Sequence, residues 1–269
     1  MIVRHDIDPQ RYLIDPAQFP AVVAVASEQE EVPIAYDNID RMLKPSLISE
    51  SQMLPEVCDR TDGMGSLIAP QWILTAAQVA VDISVTSAIA FTGKRYTVQQ
   101  IVIHPEFCHW NEATRQATND IALLRLDRPV EGVKPLLLHR KMDELGQTMT
   151  FVGSGDFGNG LIGPNSVDAR LRMATNRVAL AEGEWLVCEF DAPPDTTELE
   201  GVGGPGDSGG PALLRVEDRW AIAGVSTGQH LWPLAGGEIG EGYYGAMEYC
   251  TRVSQYLDWI KSVVDDGPS

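Results

Sequence analysis

Between residues 21 and 251 the chain is written in short runs of Val, Ile, Thr and aromatic residues, each soon ended by glycine, proline or a charged turn. Such runs stand at 21–25, 66–68, 83–90, 96–103 and 121–126, and again at 148–152, 171–179, 185–190, 211–214, 220–225 and 246–251. Strands this short, separated by turns and not by helices, build barrels or sandwiches and disfavour alternating strand–helix units. The 25 glycines and 17 prolines among 269 residues supply the turns, and a hydrophobic content of 44% is enough for one large core or two smaller ones. We therefore expect an all-β protein. The mixed stretch 127–146, with Pro129 and Pro135, is the expected boundary between β-domains at 21–135 and 136–252, preceded by a polar, proline-punctuated arm at 1–20. The end departs from the pattern: Val253, Tyr256, Leu257, Ile260 and Val264 recur at the spacing of one helix face. This predicts an amphipathic helix over 253–265, capped by Thr251 or Ser254 and stopped before Gly267-Pro268.

The formal charge is −18, from 38 acidic and 20 basic residues, scattered except for a small cluster at Glu28, Glu30 and Glu31. Such a surface repels phosphate backbones, so nucleic acid is not an expected partner; the charge either solubilises the protein or steers basic substrates. No stretch reaches the ~18 apolar residues of a membrane span, and no membrane partner is expected. The longest early apolar run, 21–26, follows charged residues and does not read as a leader. A cytoplasmic location is expected if Met1 is the native start, a secreted or periplasmic one if a leader has been removed. Cys58, Cys108, Cys188 and Cys250 are widely spaced without a CxxC pair, which argues against zinc and fits partly buried thiols whose pairing stays open. Asp191, Asp195, Glu198 and Glu200 read as a solvated acidic loop, so neither a metal nor another cofactor is expected.

The chemistry-bearing segment is Gly206-Asp207-Ser208-Gly209-Gly210-Pro211, a serine set among glycines. It satisfies the loose pattern G-x-S-x-G, which also marks the nucleophile elbow of α/β-hydrolases. An elbow needs a helix after the serine and an acid later in the chain. Here Pro211-Ala212-Leu213-Leu214 reads as a strand, and the plausible acid, Asp120 in Asn119-Asp120-Ile121-Ala122-Leu123-Leu124, comes long before. Both facts disfavour the elbow.

Five segments in order resemble the trypsin/chymotrypsin family of serine proteases, over nearly the whole chain. Gly65-Ser66-Leu67-Ile68 with Trp72-Ile73-Leu74-Thr75-Ala76-Ala77 is similar to the segment leading to the family's general-base histidine. The Asp120 segment is similar to its aspartate strand, the Ser208 loop to its nucleophile loop, and Val225-Ser226-Thr227-Gly228 to its substrate-binding strand. Tyr249-Cys250-Thr251-Arg252-Val253, with Trp259-Ile260 behind it, is similar to its last strand and C-terminal helix. The resemblance implies two six-stranded antiparallel β-barrels with a C-terminal helix, peptide-bond hydrolysis through an acyl-enzyme at Ser208, and a protein or peptide as partner. It also implies that Asp120 orients the base, that the N–H groups of Gly206 and Ser208 hold the oxyanion, and that Val202, Ser226, Thr227, Gly228 and Glu248 surround the substrate side chain. Val202 then lies at the pocket base, Gly228 on its wall and Glu248 near its rim or floor, where an acid either receives an arginine or lysine or is a partly solvated carboxylate.

Three departures qualify the resemblance. Where the base is expected the chain has Gln78, a neutral amide that does not titrate near neutral pH and cannot take a proton from a serine hydroxyl. Of the five histidines, His109 has the best claim as a substitute, because the resemblance puts its loop at the cleft border; His5, His104, His139 and His230 have weaker ones. Second, relatives mature by cleavage before an Ile-Val pair whose ammonium meets the acid preceding the nucleophile. Ile2-Val3 and Asp207 fit these roles, but Arg4-His5 replaces two glycines and Met1 stands in front. Third, Gly63 or a neighbour, Val79 and Gly204 stand where many relatives carry paired cysteines. Three readings follow: an endopeptidase whose base was replaced and which is inactive or severely impaired as written, a natural pseudoprotease that binds peptides through the old cleft, and a structural double-barrel domain.

Overall fold

The computed structural model describes residues 1–26, 63–111, 116–230 and 241–266. The N-terminal half holds β1 (Ile2–Val3), β2 (Val22–Val25), β3 (Gly63–Ala69), β4 (Trp72–Thr75), the single helical turn α1 (Ala77–Ala80), β5 (Ala88–Phe91), β6 (Lys94–Ile103), β7 (Cys108–Asn111), β8 (Gln116–Thr118) and β9 (Ala122–Leu126). The C-terminal half holds β10 (Leu137–Leu138), β11 (Thr148–Gly153), β12 (Phe157–Asn159), β13 (Gly163–Ser166), β14 (Arg172–Glu182), β15 (Trp185–Glu189), β16 (Gly201–Val202), β17 (Pro211–Val216), β18 (Arg219–His230), β19 (Met247–Arg252) and α2 (Leu257–Asp266).

Two barrel-like sheets organise these strands. The first runs β2-β3-β4-β9-β6-β5; the second runs β10-β18-β17-β11-β14-β15-β19, and a further β18–β19 pairing closes six of its strands into a ring. Side chains alternate across each strand, so β14 buries every second residue over its first half, and the inward faces fill each barrel. Leu67, Ile73, Leu74, Val98, Leu123 and Leu124 are fully buried in the first core, and Met149, Ala174, Leu186 and Ala212 in the second. The all-β, two-barrel expectation holds, as does the helix near the C-terminus.

Several details differ. The segment 1–20 is not a peripheral arm: Met1, Ile2, Val3 and Tyr12 are buried to 1% or less. β1 is clamped between β12, in parallel (Ile2↔Gly158), and β16, antiparallel (Ile2↔Val202). Of the run 83–90 only the end is a strand, because Ser84 to Ser87 are tied into a turn by their own hydroxyls. The amphipathic stripe begins as a 3-10 turn, Val253–Gln255, and α2 starts at Leu257. Neither proposed cap acts as one: Thr251 Oγ1 donates to Asp120 O and Ser254 Oγ to Glu144 Oε1. Glu200 is not solvated either. It is 1% exposed and accepts hydrogen bonds from the N–H and hydroxyl of Thr197, and burial raises its pKa. Cys188 and Cys250 are unpaired buried thiols whose pKa values burial pushes up. Cys58, the Glu28, Glu30 and Glu31 cluster and the His230 side chain lie outside the described residues.

One surface pair has a readable pH signature. The Arg172 guanidinium, 3% exposed, stacks 4.0 Å from the Phe157 ring and grips Asp168 through Nη1–Oδ1 (2.7 Å) and Nη2–Oδ2 (2.6 Å). This pairing, opposed by partial burial, holds the Asp168 carboxyl down at about 2. A depressed acid stabilises the fold above its unfolded pKa, and the contribution disappears as pH falls through the folded value. Urea midpoints are therefore expected to decline between about pH 4 and pH 2, and the decline should be shallower in Asp168→Asn.

Candidate active site

β4 ends at Thr75, and the chain turns at once into α1, so residue 78 arrives beside Asp120, two residues before β9. A one-turn helix leaves its first N–H groups without intrahelical acceptors. Asp120, 1% exposed, accepts the backbone N–H of Gln78 on Oδ1 at 2.8 Å. The Gln78 side chain points elsewhere and donates through Nε2 to Thr227 O. Asp120 Oδ2 is left buried without a hydrogen-bond partner of good geometry among the described residues. Burial pushes this carboxyl up to about 6, against the pull of the Gln78 N–H, the Thr227 hydroxyl and the Ala77 N–H. Asp120 thus meets the backbone N–H of Gln78 but not its side-chain amide, and it is buried from solvent.

The serine loop is pinned from three sides. Ser208 O accepts Met64 N–H at 2.7 Å, Gly209 N–H donates to Ser226 O at 2.7 Å, and Asp207 receives Gly155 N–H (2.7 Å) and Gly204 N–H (2.9 Å). Gly209 needs its lack of a side chain: it has φ +82°, and a Cβ there would sit 2.3 Å from Met64 O and from Thr75 Oγ1. Asp207 and Gly210 donate their N–H groups inside the loop and Gly209 donates to β18, while those of Gly206 and Ser208 have no acceptor among the described residues. The half-buried Ser208 thus stands beside two N–H groups that have no acceptor among the described residues.

No described histidine forms a hydrogen bond to Ser208 or to Asp120. His109 is exposed on β7 beside Phe107, His5 bonds Tyr244 Oη, His139 Nε2 lies 2.8 Å from Asp143, and His104 packs edge-on against Tyr256 and Trp259.

The cation at Asp207 is not that of Ile2. The Met1 ammonium lies 2.5 Å from Asp207 Oδ2 and 2.5 Å from Asp156 O, with its side chain 1% exposed. Ile2 is held one residue further along by the β1 pairings, so its nitrogen is a peptide N–H. The pairing supplies the countercharge that a buried Asp207 requires. Gly63 and Val79 are in contact: a Cβ on Gly63 would stand 2.5 Å from Val79 Cγ2.

The pocket residues divide. A side chain at Gly228 would enter open space, whereas Val202 is fully buried with Ile2 and Phe190, against Tyr244. Thr227 is not a wall either. A register irregularity between Ser226 and Gly228 turns it inward, 5% exposed, with Oγ1 3.0 Å from Thr251 Oγ1. Ser226 Oγ donates to Glu248 Oε1 at 2.6 Å. Glu248 is 1% exposed, not a solvated rim carboxylate, and its Oε2 lacks a partner of good geometry among the described residues. Sequence reasoning missed Gln229, which crosses this region; its only signal was its place directly after Gly228.

Burial raises the Glu248 carboxyl to about 7, although hydrogen bonds from Ser226 and Gln229 favour its charge. For an acid raised on folding, the unfolded chain ionises first, so stability falls as pH rises from about 4.5 to about 7 and then levels off. Glu248→Gln keeps an acceptor for Ser226 and removes this penalty. Its unfolding free energy from urea titration should match the wild type near pH 4 and exceed it at pH 8, by about 3 kcal/mol.

Comparison with known proteins decides the family. The family model described as Trypsin matches residues 57–260. The chain belongs to the trypsin family. It is 30% identical over 233 residues to a tryptase of Mus musculus, covering 74% of this chain and 77% of the relative. It is 27% identical over 222 residues to chymotrypsin-like elastase family member 1 of Felis catus, with 74% and 77% covered. A match to the complement C1r-A subcomponent of Mus musculus, 29% identical, takes in 76% of this chain but only 31% of that longer protein. This trypsin-family chain therefore has the barrels, an aspartate beside α1 and a serine loop with two unsatisfied N–H groups.

Proposed function

We propose that this protein is a trypsin-like serine endopeptidase framework whose proton relay is broken at Gln78, leaving peptide-bond hydrolysis absent or severely impaired. The observation that carries the reading is the orphaned Asp120 Oδ2 beside a glutamine whose side-chain amide is spent on Thr227 O. In an intact site an imidazole would take its proton from Ser208 and rest its own N–H on that carboxylate. Gln78 offers neither a basic nitrogen nor a titrating group, so the Ser208 hydroxyl keeps its proton and remains a weak nucleophile. The remaining machinery supports the assignment: Ser208 as nucleophile, Gly206 and Ser208 N–H as oxyanion donors, and Asp207 neutralised by an ammonium. Protein or peptide is the ligand class, entering beside Gly228. The test is hydrolysis of a peptide–amide library by wild type with Ser208→Ala as the blank. Equal rates are expected; serine-dependent turnover well above the blank would refute the proposal.

The second reading, a peptide-binding pseudoprotease, is favoured by the retention of a serine loop held to Met64, Ser226, Gly155 and Gly204 beside an incompetent relay. It predicts that a peptide bound with micromolar affinity stays bound in Gln78→His.

A further inference from the structure

Outside the serine loop and the Gln78–Asp120 pair, one corner of the second sheet holds a cavity of about 400 Å³ lined by Leu180, Glu182, Gly183, Glu184, Trp185 and Tyr249. The sheet register explains why these residues meet. β14 and β15 are joined by the two-residue turn Gly183-Glu184, with Gly183 at φ +53°, so Glu182 stands opposite Trp185. Leu180 of β14 and Tyr249 of β19 both stand opposite Val187 of β15, two residues beyond Trp185. Period-two alternation therefore puts Leu180, Glu182, Trp185 and Tyr249 on one face. The Trp185 and Tyr249 rings meet edge-on at 85°, with centroids 6.1 Å apart, and form two walls of one corner.

The acids of this corner lack a cation among the described residues: no ion pair there involves Glu182 or Glu184. Glu182 is exposed at the end of β14. Glu184 is fixed in place, because its Oε2 accepts the backbone N–H of Asn119 and, at 3.2 Å, the hydroxyl of Tyr256. Burial first, and then the Glu184 charge, push the pKa of that hydroxyl up, so it stays a donor to the carboxylate. Both bonds fall on Oε2, and no described donor reaches Oε1. The cavity thus joins two aromatic rings to negative charge, in a protein whose formal charge is −18. Ring faces attract cations through their quadrupole, Trp most strongly, and quaternary ammonium groups are the ligands that such rings typically recognise. A metal ion is a poorer occupant, because no group of three or more His, Cys, Asp or Glu side chains among the described residues is placed to hold one.

We propose that this cavity binds a quaternary ammonium group, with Trp185 and Tyr249 against its methyls and Glu182 and Glu184 supplying the countercharge. A trimethylated ammonium spreads its charge over its methyl groups and has no N–H to leave unpaired, so it exchanges water for two ring walls at little cost. A primary ammonium or a guanidinium needs hydrogen-bond acceptors on several sides, and the ring faces offer none. An apolar group of the same shape gains contact with the rings and Leu180 but nothing from the carboxylates. The group arrives on a free solute such as choline or on a trimethylated lysine of a bound protein, and the site reads the chemistry that the two share. None of the lining residues belongs to the relay or the serine loop, so the inference stands apart from the reading of Gln78.

The test is calorimetric titration of three probes into the full chain: choline, N-acetyl-Nε-trimethyl-lysine methylamide, and the neutral isostere of choline in which a tert-butyl group replaces the trimethylammonium. The same titrations are made into Trp185→Leu, Tyr249→Leu and Glu182→Gln, each checked for folding by near-ultraviolet circular dichroism. Choline should bind wild type about tenfold more tightly than the isostere, a ratio that fits a partly desolvated cation against two rings. Trp185→Leu and Tyr249→Leu should each erase most of that preference, because they remove a quadrupole while keeping an apolar wall. Glu182→Gln should weaken choline by about threefold and flatten the fall of its affinity with added salt. Tighter binding of the lysine derivative than of choline supports the site as a reader of a protein side chain, and equal or weaker binding supports it as a solute site. Equal affinity for choline and its isostere, a preference that survives both ring substitutions, or no binding of either ammonium probe at tens of millimolar would overturn the proposal. Should one ring variant fail to fold, the other carries the comparison, and the wild-type ratio of choline to isostere is read without any variant.

Discussion

Gln78→His is expected to raise Ser208-dependent hydrolysis of peptide amides by about a thousandfold or more. Removing the base of a serine–histidine–aspartate relay lowers turnover by about a million-fold, because the serine hydroxyl is then hardly ionised and the leaving amine receives no proton. The reverse change recovers much of that factor if the imidazole meets a site already built for it. Three features argue that it does. Asp120 Oδ2 is buried and lacks a partner of good geometry among the described residues, so it is an acceptor open to an imidazole N–H. The backbone N–H of Gln78 already fixes Oδ1, so the carboxylate is oriented before any side chain is changed. Gly206 and Ser208 retain their unsatisfied N–H groups. The revertant's activity should rise with pH through the ordinary histidine range, about 6.5, with an upward displacement as the nearby Asp120 charge favours the imidazolium. The measurement is kcat/KM from pH 5 to 9 for Gln78→His against Gln78→His/Ser208→Ala, which subtracts background hydrolysis. A folded revertant indistinguishable from the double variant would show that the site has lost more than its base.

Arg252→Met is expected to destabilise the fold by about 3–5 kcal/mol, the largest stability effect anticipated for a single side chain here. Arg252, 6% exposed at the end of β19, reaches the fully buried Glu144 through Nε–Oε1 (3.1 Å) and Nη2–Oε2 (2.6 Å), while Ser254 Oγ adds a third bond at 3.0 Å. Glu144 belongs to the stretch 127–146 between the two sheets, so the pair fastens that crossing to the strand leading into α2. Although burial pushes the Glu144 carboxyl up, the Arg252 and Ser254 bonds leave it below the usual glutamate value. Losing the arginine alone strands a charge in the interior. Replacing both partners, as Glu144→Leu/Arg252→Met, removes the charge together with its partner and should restore most of the lost stability. Urea unfolding of the two singles and the double measures the coupling. Additive losses would mean that the pair does not act as a unit.

Much of this was legible in the chain. The short, turn-bounded runs became strands within a few residues of their expected limits, since period-two burial of Val, Ile and Leu dictates both strand and face. The aspartate segment, the glycine-rich serine loop and the last strand with its helix are local patterns whose geometry is largely internal. What was not legible depends on contacts far apart in sequence. A polar N-terminal segment gave no sign that it would be buried and set its first nitrogen beside Asp207, because that placement comes from the pairing of β1 with β12 and β16. The inward turn of Thr227 was not legible for a sharper reason. The irregularity between Ser226 and Gly228 shifts one side chain across the sheet, so Thr227 is buried against Thr251 of β19. One extra residue in a strand reverses facing, and no periodicity in the sequence announces it.

The central claim is that Ser208 lacks a neighbour able to deprotonate it, and its reactivity toward a fluorophosphonate tests this most directly. The reagent phosphonylates an activated serine with loss of fluoride, and intact-mass spectrometry counts the adduct without any assumption about substrate. Wild type should label no faster than Ser208→Ala over a period in which Gln78→His is fully modified at Ser208. An adduct on wild-type Ser208 formed within about tenfold of the revertant's rate would contradict the account, because a hydroxyl that reacts so readily already has its base.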